Sequence, residues 1–165
     1  MTKPTPHKKT KGSDYLGALL FVVLSPLIVV AIAFHLLAGL LLHVAAWCCW
    51  CLRGRYVLFV YSDSPIWHGY IEEHMVPRLG ERAVVLNWSH RSRWRRTLAV
   101  LAFRYFGGYR AFNPMAVVFR PFRFARCFRF YEPFREFKHG KSDAVATMER
   151  ELYELVDEIT GARAA

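Results

Sequence analysis

The 165-residue sequence predicts an α/β domain preceded by an N-terminal transmembrane or re-entrant helical segment. Two observations carry this. The 38 residues between Asp14 and Arg53 include no Asp, Glu, Lys or Arg, while a bilayer core needs only about 20 such residues as a helix. From Tyr56 onward, short β-branched and aromatic runs alternate with helix-length stretches in the order β-α-β-α-β-β-α. The expected organisation is a basic tail over 1–14, a membrane segment over 15–52, the α/β domain over 53–160 and a short tail over 161–165.

The membrane segment is too long for one upright crossing. At about 1.5 Å per residue its 38 residues would span roughly 57 Å. It is also too long for a cleavable signal peptide, and no small-x-small site closes it. Three arrangements satisfy the length. One tilted helix can end in the interface near Trp47 and Trp50, two short helices can re-enter the same side, or the helix can break at Ser25-Pro26. Leu24-Ser25-Pro26-Leu27 resembles the Ser-Pro break of monotopic phosphoglycosyl transferases, but that family's Asp-Glu catalytic pattern is absent. Lys3, Lys8, Lys9 and Lys11 flank one side and Arg53 and Arg55 the other, so both flanks favour the cytoplasm. The localisation expected is the membrane, with the domain on the cytoplasmic side.

Cys48, Cys49 and Cys51 close the apolar run. Cys48 and Cys51 form a C-x-x-C, half of a four-ligand zinc site, with no second pair. Packing at the interface is the favoured reading over redox, metal or lipidation chemistry. No metal and no cofactor is expected.

Tyr56–Tyr61 reads as a buried strand. Ser64 is placed to cap a following helix, with Pro65 at its first position and the end near Pro77 and Gly80. Ala83–Asn87 reads as the second strand. A second helix opens at Ser89 or Ser92 and ends at Gly107-Gly108. Met115–Phe119 is the third strand, joined through a hairpin near Pro121 to a fourth around Cys127–Tyr131. Ser142-Asp143 caps a last helix to Thr160, closed by Gly161.

This order, with Asn113-Pro114 directly before the third strand, resembles the thioredoxin-like fold. The resemblance places Pro114 where that fold keeps its cis-proline, and Ser62-Asp63-Ser64-Pro65-Ile66-Trp67 where it keeps its C-x-x-C. The loop has no cysteine. Disulfide exchange needs an attacking thiolate, so a dithiol oxidoreductase is excluded. Cys127 sits on a predicted strand and reads as core packing.

What the resemblance leaves is a ligand or peptide edge of Tyr61, Ser62, Asp63, Ser64 and Pro114. Ser64 or Tyr61 could there donate to a thiolate, as in glutathione transferases. Capping is the preferred reading of Ser64. His68 and Glu72 share a helix face, and His68 to Glu73 resembles the H-x-x-x-x-D spacing of membrane acyltransferases with Glu for Asp. His90 lies at a second strand end. Ser64, His68 and His90 are thus the catalytic candidates. An enzyme would gather Ser64, Tyr61 and Pro114 on an open cleft; a scaffold would fill that corner with Trp67 or Trp88.

Charge is more informative. Arg82 to Arg135 holds twelve arginines against one acid, and Asp143 to Thr160 holds six acids against one arginine. Part of the basic charge is expected to pair with Glu149, Glu151, Glu154 and Asp157. The remainder, around Arg91, Arg93, Arg95, Arg96, Arg104, Arg123 and Arg126, should form a positive surface. Anionic headgroups rank first as its partner, an acidic protein second and nucleic acid last. Arginines interleaved with Phe122, Phe124, Phe128 and Phe130 could stack bases, but alternating Phe on a strand is more often core. The leading expectation is a redox-inactive, membrane-held interaction or scaffold module. The competing one is a small enzyme of glutathione-transferase or lipid-modifying type.

Overall fold

The structure is a computed structural model that describes residues 11–108, 113–137 and 143–164, with side chains from residue 21 to residue 161. The chain divides into two compact units, Met1–Gly39 and Leu40–Ala165. The second begins inside the apolar segment.

Helix α1 spans Lys11–Cys49 without a break at Ser25-Pro26. Pro26 has no N–H to give the Val22 carbonyl one turn earlier. The Ser25 hydroxyl donates to that carbonyl instead, at 3.2 Å. The Val22 carbonyl therefore keeps a hydrogen-bond donor despite the proline. Within the first unit the side chains from Phe21 to Leu37 are apolar apart from Ser25 and His35, and most are exposed. The segment Phe21–Arg53 is long and apolar enough to cross a membrane.

The second unit is an α/β domain on a mixed four-stranded sheet. Strands β1 (Val57–Tyr61), β2 (Ala83–Asn87), β3 (Met115–Arg120) and β4 (Arg123–Arg129) lie in the order β2-β1-β3-β4. β1 pairs parallel with β2 and antiparallel with β3, and β3 pairs antiparallel with β4. β1 and β3 are central and buried along nearly their whole length, as near-continuous apolar runs should be. The Asn113–Pro114 bond is cis. Met115 pairs with Val60, so buried Pro114 falls at the Tyr61 end of β1.

The helices depart from the expected outline where local hydrogen bonding decides. Ser64 caps nothing with its hydroxyl. Its carbonyl accepts from the N–H groups of Trp67 and His68 in a turn, and helix α2 (His68–Tyr70) starts only there. A π-helical turn, Ile71–Met75, leads into α3 (Val76–Leu79). Pro77 has no N–H to return to Glu73. The wider turn, closed by Val76 N–H on the Ile71 carbonyl, carries the chain past it. The helix therefore runs through Pro77 instead of stopping there.

Neither Ser89 nor Ser92 opens the next α-helix. Trp88–Arg93 forms 3-10 turns capped by Asn87, and α4 (Leu98–Phe106) begins at Thr97, whose Oγ1 accepts from Val100 N–H. β4 ends at Arg129, and Tyr131 opens a further helix, α5 (Tyr131–Phe137), in place of a longer strand. Pro133 is tolerated in its first turn. Helix α6, Asp143–Ala164, passes through Gly161 without stopping. Ser142, the expected cap, lies outside the described residues. Phe59, Phe103, Phe119, Phe130 and Phe134 are the large fully buried rings of the core.

Candidate functional site

The parallel strands β1 and β2 end side by side at Tyr61 and Asn87. In open α/β sheets ligands gather beyond such carboxyl ends. Here the two loops are laced together. Asn87 Nδ2 donates to Asp63 Oδ1 at 2.6 Å, Asp63 N–H donates to Ser89 Oγ at 2.9 Å, and Ser89 N–H donates to Asn87 Oδ1 at 2.9 Å. His68 Nδ1 lies 3.6 Å from one Asp63 carboxylate oxygen and His90 Nε2 lies 3.9 Å from the other. The fold thus brings together three of the expected site residues, Asp63, His68 and His90. The participation of Asn87 as an Asx-turn former is an addition that a strand-end asparagine signals in sequence.

The Tyr61 hydroxyl is engaged within the domain. It donates to Glu72 Oε1, and its ring stacks on His68 at 6.1 Å. Burial, reinforced by that carboxylate, pushes the phenol up to about 12. A phenol held neutral and committed to a carboxylate is a poor donor to a substrate thiolate. Trp67 packs on Tyr131 and Phe134 in the core. Trp88 packs on Trp94 and Phe103. Four clefts of the second unit have linings that do not include Tyr61, Ser64 or Pro114. No group of His, Cys, Asp and Glu able to hold a metal occurs among the described residues.

The cysteines do not approach this corner. Cys51 is buried with its thiol 3.8 Å from the Phe119 carbonyl, and Cys48 and Cys49 are exposed on α1. Cys127 is exposed on β4 rather than packed in the core. Its sulfur, beside the Phe106 carbonyl, is nonetheless desolvated, which pushes the thiol up against the lowering effect of Arg129.

The basic residues fall at the two ends of the sheet. Asn87 closes β2, so the loop bearing Arg91, Arg93, Arg95 and Arg96 leaves from the Tyr61 end. These four are exposed and form no ion pair among the described residues; Arg91 lies over the Trp88 ring. At the other end, Phe119 N–H donates to the Tyr56 carbonyl, placing Arg120 and Arg123 beside the start of β1. Arg104 is exposed on α4, whose last residue, Phe106, packs on His43 of α1 at 4.9 Å. Arg126 Nη2 pairs with Glu151 and Arg82 Nη1 with Asp157, each at 2.7 Å, so α6 neutralises part of the basic charge as expected. Glu149 instead accepts from the Tyr70 hydroxyl at 3.2 Å. A cleft of about 520 Å³ also lies at this end, lined by Trp47, Leu52, Phe122, Arg123 and Ile159 among others.

No known protein family, curated protein or solved structure matches this chain.

Proposed function

We propose that this chain is a membrane-tethered interaction module whose α/β domain has a thioredoxin-like fold without the dithiol. The sheet order with its one parallel and two antiparallel pairings, the loop opening a helix after β1, and Pro114 before β3 support the fold. The observation that carries the function is the apolar helix running directly into a domain with two arginine groups that form no ion pair among the described residues. Arg123, which shares a cleft with Trp47 of the last turns of α1, meets anionic headgroups. Arg91, Arg93, Arg95 and Arg96 leave from the opposite end of β1, about 13 Å away over four strand rises. That distance exceeds a Debye length of about 8 Å, so the loop meets an acidic protein rather than the bilayer surface.

The transferase alternative needs Tyr61 or Ser64 at an open cleft, and Tyr61 is committed to Glu72. Metal, cofactor and nucleic acid play no part in the proposal. The domain faces the cytoplasm, as the adjoining Arg53 and Arg55 favour.

Two measurements test this. A single reporter cysteine near the C-terminus of an otherwise cysteine-free chain should label only after permeabilisation if the domain is cytoplasmic. A photocrosslinking residue at Arg93 in the full membrane-bound chain should give one discrete protein adduct, lost when Arg91 and Arg95 become Glu. Lipid adducts alone at that position would refute the division of labour between the two arginine groups.

A further inference from the structure

The β3–β4 hairpin turns through Pro121 and Phe122 alone, since Arg120 pairs with Arg123. Phe122 has φ 58°, a left-handed conformation that a turn normally gives to glycine or asparagine. Its ring is 92% exposed and that of Phe124 is 86% exposed. In water this is unfavourable twice over: the backbone is strained and two phenyl rings stay unburied. A solvated turn has no use for either cost.

The surroundings supply one. Phe122 packs 5.7 Å from Trp47, and Phe124 lies 6.2 Å from His43, both on the last turns of α1. The same turns expose Leu40, Leu41 and Val44. His43 lies one turn further into the apolar segment than Trp47, so Phe124 stands deeper along the helix than Phe122. Leu52, exposed beyond the helix end, continues the patch. The flanking cations are Arg53, Arg55 and Arg123, all exposed. Apolar rings with a rim of arginine match the boundary between acyl chains and headgroups.

We infer that the β3–β4 hairpin is a second membrane contact, a wedge that inserts Phe122 and Phe124 into the interface of the bilayer that α1 enters. The lipid bilayer is its occupant. The wedge rests on the tether proposed above, since the depth of the rings is set by the turns of α1 beside them. It adds what a tether alone lacks: two points of attachment fix the domain's orientation. With the hairpin end in the interface, the Tyr61 end of the sheet and the Arg91–Arg96 loop face away from the bilayer.

The test uses the full chain, cysteine-free, in phosphatidylcholine–phosphatidylglycerol vesicles. A nitrobenzoxadiazole label is placed singly on Phe34→Cys, Phe122→Cys, Phe124→Cys or Glu154→Cys. Phe122 and Phe124 are exposed, so either label leaves the core intact. The wedge predicts blue-shifted emission at positions 34, 122 and 124, with iodide quenching several-fold weaker than at 154. It also predicts that shallow spin-labelled lipid quenches 122 and 124 more than deep spin-labelled lipid does. If 34 is lipid-quenched while 122 and 124 are quenched by iodide like 154, the wedge is refuted and the tether survives. If 34 is itself open to iodide, the tether fails and the wedge with it.

Discussion

His43 gives the sharpest test of how the apolar helix is joined to the domain. β4 is an edge strand, and an edge presents unpaired N–H groups. Ala125 N–H donates to His43 Nε2 at 2.9 Å, so the helix covers the edge at that point with a polar atom. The ring also packs edge-on against Phe106 and Phe119. His43→Leu keeps the bulk and raises the hydropathy of the segment, so membrane insertion is not impaired. It leaves the part-buried Ala125 donor without an acceptor, which costs about 1–3 kcal/mol. At about 1.4 kcal/mol per decade, amide exchange at Ala125 should quicken about 5- to 150-fold. His43→Gln, which retains an acceptor, should lie between the two. The assay is amide hydrogen exchange on the full chain in nanodiscs, followed at Ala125 and, for comparison, at the buried Phe59 and Val60 of β1. Unchanged exchange at Ala125 in His43→Leu, with Phe59 and Val60 also unchanged, would refute the claim that His43 closes the edge.

Three further outcomes follow from the same structure. Burial is the main cause holding Glu149 above the usual carboxylate range, outweighing the Tyr70 hydrogen bond and Arg78. A raised folded pKa contributes stability at low pH that is lost as pH rises through it, so Glu149→Gln should raise the melting temperature at pH 7 and the gain should vanish below about pH 4. Tyr61, Tyr70 and Tyr153 are each pushed up to about 12, chiefly by burial. The unfolded phenols ionise near 10, so stability should fall between about pH 10 and 12, and Tyr153→Phe should flatten that fall in a urea titration. A Cβ at Gly107 would lie 2.6 Å from the Phe103 carbonyl oxygen, whereas one at Gly69 meets nothing within 4 Å. Gly107→Ala should therefore lower thermal stability, while Gly69→Ala, in a helix, should raise it by up to about 1 kcal/mol.

The strands are legible in the sequence because buried strands are written in local composition. Ala83–Asn87 is a strand at its expected bounds, and Met115 opens the third as expected. Helix starts are less legible, because several residues can cap and only tertiary contacts choose among them. Ser89 is a good cap by type, but its hydroxyl accepts from Asp63 N–H in the neighbouring loop, and Thr97 caps α4 instead. α5 is hidden because Phe130 and Phe134 suit a buried strand as well as a helix. The phenylalanines between 122 and 130 show the same limit. Alternation suggests one core face, yet Phe128 and Phe130 are buried while Phe122 and Phe124 are exposed. Phe122 sits in the turn, not in the strand, and the sheet edge ends before a second layer can cover Phe124. At the candidate site, the strand-end positions of Asp63 and His90 are legible. The Tyr61–Glu72 bond is not, because it depends on how the π-helical turn places Glu72 over the end of β1.

The two ends of the sheet divide the chemistry of the domain. At the Tyr61 end, Asp63 is held by Asn87 and Tyr61 by Glu72, while His68 Nδ1, 3.6 Å from Asp63, makes no hydrogen bond among the described residues. The bonds among Asp63, Asn87 and Ser89 brace the loop that leads on to Arg91, Arg93, Arg95 and Arg96. Holding that loop in one conformation lowers the entropy cost of ordering it on a partner, which is how a rigid recognition surface gains affinity without further contacts. On the function proposed above, Asp63 and Asn87 are positioning residues for the arginine loop.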